Sequence, residues 1–163
     1  MRESAMQLAD CLEEVVAVQE RLLTKLIAQR PAIIEGRHAD LESLAQQTEI
    51  EVRRLAVAER VRAAAAQVLA DERGATGTRW SLLRAGLDED ELAELDRLVG
   101  RVEDLVRDLE MANAINGQLV RQELEVLDTS MRSLGGPGPR AYTSAGSTAA
   151  SPPPDPMMLN TAA

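Results

Sequence analysis

One stretch, Asp88 to Leu134, constrains this chain more than any other, because it reads as a single uninterrupted helix. At 3.6 residues per turn, Leu95, Leu98, Val99, Val102, Leu105, Val106, Leu109, Val120, Leu124, Leu127, Met131 and Leu134 gather on one side of the cylinder. Its start is marked by Asp88 as a cap, Glu91 three residues later, and Leu87 placed to staple against Leu92. Its stop is the run Gly135-Gly136-Pro137-Gly138-Pro139, where glycine suits a left-handed cap and proline cannot continue a helix. A helix of about 45 residues is roughly 70 Å long, more than a small domain readily covers.

Asn113 and Asn116 fall within the apolar stripe, at positions where the pattern asks for Leu or Val. Leaving one such amide buried without a partner costs about 1–3 kcal/mol, so the pair needs partners or solvent. Two readings stay open. One is a buried polar layer that fixes register or oligomer state. The other is a seam that, beyond Asn113, forms an apolar helix face awaiting a partner. Gly117 adds a local weakness, since glycine inside a helix costs about 1 kcal/mol relative to alanine.

The rest of the chain supplies helices to pack on it. From about residue 4 to 30, Leu8, Cys11, Leu12, Val15, Val18, Leu22 and Leu26 make one stripe, which Pro31 either ends or kinks. A second helix, about 40 to 72, opens with Asp40 and places Leu41, Leu44, Ala45, Thr48, Val52, Leu55 and Ala56 on one face. Its later residues Val57, Val61, Ala64 and Val68 lie nearly opposite, in line with Ile50, so this helix has two apolar sides. It then packs on two neighbours, or on one neighbour and a second copy of the chain. After the Gly74–Thr78 loop comes a short helical turn from Trp80 to Leu87, with Trp80 expected to plug one end of the bundle. Residues 135–163 carry almost no charge and little apolar surface beyond Tyr142 and Met157-Met158-Leu159, and are expected to be a disordered tail.

With aromatic content at 1% and no Phe, any core must be Leu, Val and Ala, which suits helix-on-helix packing and not a sandwich or barrel. The expected fold is therefore all-α, an elongated antiparallel bundle of three long helices with one short helix before the third, spanning residues 1–134. A net charge of -9 argues against a nucleic-acid surface, and no apolar run reaches membrane-spanning length. The acidic, leaderless start reads as cytoplasmic.

Catalytic groups do not converge. His38 is the only histidine and Cys11 the only cysteine, so neither a multi-histidine metal site nor an intrachain disulfide can be assembled. Glu35, His38 and Asp40 read as a solvated connection, and Cys11 as a small buried hydrophobe. No metal, cofactor or enzyme activity is expected; the sequence points to binding through helical surface.

The segment Asn113-Ala-Ile-Asn116-Gly-Gln-Leu119-Val120, late in a third long helix and followed by a Tyr- and Gly-containing tail, resembles the FlgN family of flagellar type III export chaperones. The amphipathic first helix and the second, beginning Asp40-Leu41-Glu42-Ser43-Leu44, agree with it. The resemblance implies a chaperone that holds hook-associated junction proteins (FlgK- and FlgL-like), keeps them unaggregated and delivers them to the export gate. By position it implies partner binding through Asn113, Asn116, Leu119 and Val120, with Leu124, Leu127 and Met131 extending the same face. It also implies docking on the gate protein FlhA through a tyrosine after the helix, for which Tyr142 is the nearest match, with the export ATPase as a further partner. The alternative is a structural coiled-coil protein that mainly self-associates.

Overall fold

The computed structural model describes residues 2–134, and every regular element among them is helical. The chain divides into two compact units, Met1–Glu123 and Leu124–Ala163; the expected disordered tail lies outside the described residues. Helix α1 runs Glu3–Ile34, α2 His38–Arg73, α3 Trp80–Leu83 with a 3-10 turn Arg84–Gly86 behind it, and α4 Glu89–Ser133.

Pro31 lies inside α1 without ending it. The missing N–H removes one bond, yet the Pro31 carbonyl still accepts from Glu35 N–H at 3.0 Å, and the helix closes only at Gly36. There φ is +63°, and Arg37 N–H reaches back to the Ala32 carbonyl at 2.9 Å. Gly74 ends α2 in the same way, at φ +64° with Ala75 N–H on the Ala70 carbonyl. Both helices thus stop where a residue without Cβ adopts the left-handed conformation and frees the next N–H to close the ring. Helix α2 begins two residues ahead of the expected Asp40, with Arg37 bridging Glu35 and Asp40 across the turn.

Within the first unit the side-chain pairs fix direction. Arg21 meets Glu51, Lys25 meets Gln47 and Gln29 meets Thr48, so α1 and α2 are antiparallel. Arg2 meets Glu91, Glu20 meets Arg101 and Leu26 meets Asn116, so α4 starts out parallel to α1. Residues turned inward on α1 (Ala5, Leu8, Leu12, Val15, Gln19, Leu22, Leu26, Gln29, Ile33) alternate at spacings of three and four. On α4 the same spacing joins Glu91, Leu95, Leu98, Val102, Leu105, Leu109, Ala112, Asn116 and Leu119. This is the seven-residue repeat of helices packed nearly along one another.

The main apolar cluster joins Leu8 and Leu12 of α1, Ala65, Ala66 and Leu69 of α2, Leu83 of α3, and Leu95 and Leu98 of α4. Alanines on α2 let the backbones approach closely, and Trp80 packs half-buried against the cluster while its Nε1–H donates to Asp96 at 2.7 Å. An indole with its ring on the core and its N–H at the rim is the arrangement that amphipathic ring favours.

Beside this cluster the start of α4 is held by one carboxylate. Glu91 is fully buried and accepts from Arg2 N–H at 2.7 Å, Asp88 N–H at 3.1 Å and the Arg73 guanidinium at 2.6 Å. The Asp88 bond is the returning half of the capping box expected at this helix start. Arg73, itself mostly buried, also donates to the Gly86 carbonyl, so the acid joins both chain segments flanking α3 to the beginning of α1. Burial would push the Glu91 carboxyl up, but these three donors outweigh it and hold it down at about 2.

Candidate functional site

The two asparagines part company. Asn116 is buried, and its Nδ2 donates to the Leu26 carbonyl at 2.7 Å and to Gln29 Oε1 at 3.2 Å. Its Oδ1 accepts from Arg30 Nε at 3.3 Å. Gln29 in turn donates from Nε2 to Thr48 Oγ1 at 3.0 Å, and Thr48 donates to the Leu44 carbonyl at 2.7 Å. One polar layer therefore takes a side chain from each of α1, α2 and α4. With each amide answered in the layer, its burial costs little, and only one register of the three helices brings the partners together.

Asn113 does not share the layer; it is exposed. A straight 3.6-residue wheel drifts by about 20° per seven residues against the 3.5 repeat that governs the buried seam. Over the three heptads from Leu95 to Asn116 that drift widens the apparent stripe enough to admit Asn113. Val106 and Val120, assigned to the same stripe, are exposed for the same reason, whereas Leu119 is half-buried.

The second unit's described residues, Leu124 to Leu134, are helical almost to their end. Leu124, Leu127, Met131 and Leu134 succeed one another at spacings of three and four on one face, at 56%, 53%, 43% and 86% exposure. Asp128 and Arg132 pair one turn apart beside them. Leucine and methionine left this open are positions from which a partner would remove water. Tyr142, the residue implied for gate docking, lies outside the described residues.

Elsewhere several titratable groups are committed to structure. Glu51 of α2 is buried between Arg21 at 3.1 Å and Arg54 at 2.7 Å; burial pushes its carboxyl up, and the two guanidiniums more than reverse this. Burial pushes the Cys11 thiol above its ordinary value, with Asp10 adding to the effect and Arg62 opposing it. Arg37 occupies both Glu35 and Asp40 next to His38. Among the described residues no cluster of three or more His, Cys, Asp or Glu side chains is placed to hold a metal ion. No helix among them is long and apolar enough to cross a membrane.

Glu51 and Gln29 were not singled out by sequence reasoning, and Glu91 was singled out only as the capping partner of Asp88. For Gln29 there was a signal, since it falls in the inward-facing repeat of α1. For the burial of the two acids there was none, because it depends on Arg73 for Glu91 and on Arg21 for Glu51, each brought in from another helix.

Among the described residues the chain is all-helical, with a satisfied amide layer in its first unit and an exposed apolar helical face in its second. The family model described as FlgN protein matches residues 1–150, most of the sequence, and the chain belongs to that family of flagellar export chaperones. No curated protein and no solved structure matches it.

Proposed function

We propose that this chain is a cytoplasmic export chaperone of the flagellar type III system that captures hook-associated junction proteins, FlgK- and FlgL-like, through the C-terminal part of α4. The observation that carries the reading is the run of half-exposed apolar residues Leu124, Leu127 and Met131 on one helical face, in a chain of the FlgN family. Leu119 and Val120, in the last turns of the first unit, add apolar surface of the same kind. Delivery to the FlhA-type gate and the export ATPase completes the proposal, with Tyr142 as the docking residue. Asn116 serves the bundle by fixing the register of α4, and Asn113 is available to a client as an exposed amide.

Burying the exposed half of three such side chains contributes about 3 kcal/mol, on the order of a hundredfold in affinity. The triple change Leu124→Glu, Leu127→Glu, Met131→Glu in the full chain is expected to lose that much affinity for a FlgK-type junction protein in calorimetry, with helicity retained. Unchanged affinity in a helical variant would refute the assignment of the client face.

A further inference from the structure

The second unit, Leu124–Ala163, holds both an uncovered apolar face and an apolar cluster that the chaperone reading leaves unused. The face is Leu124, Leu127 and Met131, continued by Leu134, each about half exposed or more. From Leu124 to Leu134 it is about 15 Å long. The cluster is Met157-Met158-Leu159, the only run of large apolar side chains after Leu134. It lies past residue 150, where the match to the family model stops, so membership of the family does not account for it.

Asp128 falls within the same face, directly after Leu127 and one turn before Met131. Its Oδ2 is taken by Arg132, while Oδ1 is shielded from solvent and has no donor among the described residues. An acceptor shielded in this way is costly until an N–H answers it. The face therefore suits an occupant that brings apolar side chains and backbone N–H groups together, without net charge.

We propose that Met157-Met158-Leu159 folds back onto residues 124–134 of the same chain and covers this face while no client is bound. Reach permits it: the 22 residues from 135 to 156 are mostly Gly, Pro, Ser, Thr and Ala, and a spacer of that kind spans about 25 Å root mean square. That exceeds the length of the face, so the cluster meets every turn of it at an effective concentration on the order of a millimolar. Charge favours it, because Arg140 and Asp155 are the only charged side chains after Leu134 and cancel, whereas a second copy brings -9 against -9. Backbone chemistry fits as well. Pro152-Pro153-Pro154 and Pro156 offer no N–H and hold the approach extended, while residues 157–160 offer four N–H groups in succession for the open oxygen of Asp128. Methionine packs adaptably, which suits a cover that has to leave. The contact itself needs no client; its consequence, competition with the client, rests on the client face proposed above.

The test uses the full chain with a benzophenone amino acid in place of Asn160, irradiated alone as a mixture of molecules carrying light and heavy nitrogen. Cross-links, mapped by mass spectrometry, are expected on residues 124–134 and within one molecule. Met157→Ser with Met158→Ser and Leu159→Ser should lower their yield at least about fivefold, and so should Leu124→Glu with Leu127→Glu, which keeps Met131 as an acceptor, while circular dichroism stays helical. Without the benzophenone, the triple serine variant should bind a FlgK-type junction protein about threefold tighter in calorimetry, since the parent's apparent affinity is reduced by the fraction of molecules that are open. Cross-links that fall elsewhere, or yields unchanged in either helical variant, would overturn the proposal. Cross-links between light and heavy chains would overturn it too, and assign the face to a second copy. Equal affinity of parent and triple serine variant would refute the competition. A chain that cross-links as expected yet binds no junction protein would refute the client reading alone.

Discussion

Replacing Glu91 by Gln tests the carboxylate that ties the starts of α1 and α4 to the end of α2. The substitution keeps the side chain's shape but removes the charge that answers Arg73, whose side chain is 7% exposed. Removing one partner of a buried ion pair costs about 3–5 kcal/mol, because the other charge is left without compensation. The depressed acidity gives a second measure. The gap between an ordinary glutamate value of 4.5 and about 2 corresponds to about 3 kcal/mol at neutral pH. Since the folded value is the lower one, this stability is present in full above pH 4.5 and is lost as pH falls toward 2. At pH 3 about 1–1.5 kcal/mol of it remains.

Urea unfolding followed by far-ultraviolet circular dichroism should therefore show Glu91→Gln less stable by about 3 kcal/mol at pH 7, a midpoint shift of roughly 2 M. The difference from the parent chain should shrink by more than half at pH 3. A variant whose midpoint matches the parent at pH 7, or whose deficit is the same at both pH values, would refute the account of Glu91 as a charged clasp.

Two further substitutions test the amide layer and the helix that carries it. Asn116→Leu leaves the Gln29 oxygen and the Arg30 donor without their partner in a partly buried setting and should cost about 1–2 kcal/mol in the same assay, whereas exposed Asn113→Leu should change stability by less than about 0.5 kcal/mol; equal effects would show that the two amides are equivalent after all. Gly117→Ala should raise stability by about 0.5–1 kcal/mol, because a Cβ there meets only the flexible end of Arg121 at 3.7 Å, and a lower melting temperature would mean that the glycine is needed for close approach.

Much of the helical frame was legible in the sequence because its signals are local. Asp88 with Glu91, the Gly74 stop and the stripe of α1 mark their elements without reference to anything distant. The two apolar sides of α2 were also legible, since periodicity shows a second face even when it does not say what covers it. What could not be read is whatever depends on which helix comes alongside. Asn113 and Asn116 differ by three residues and look alike on a wheel, yet only Asn116 meets Leu26 and Gln29 across the interface. Glu91 reads as a dipole-favouring acid among Asp88, Glu89 and Asp90 until Arg73 is brought beside it. Pro31 illustrates the reverse case, a strong local stop signal overridden because Ala32 and Ile33 beyond it are buried.

The bond from Arg2 to Glu91 closes a span of 89 residues. The α1–α2 hairpin can form from near neighbours, but this closure must wait until nearly the whole of the first unit has been collected, so little of it is present at the folding barrier. Its loss should then fall mainly on how fast the native chain opens and hardly on how fast it forms. The clasp is in that sense a latch on residence time: the stability it lends is held almost entirely in how long a folded molecule stays folded.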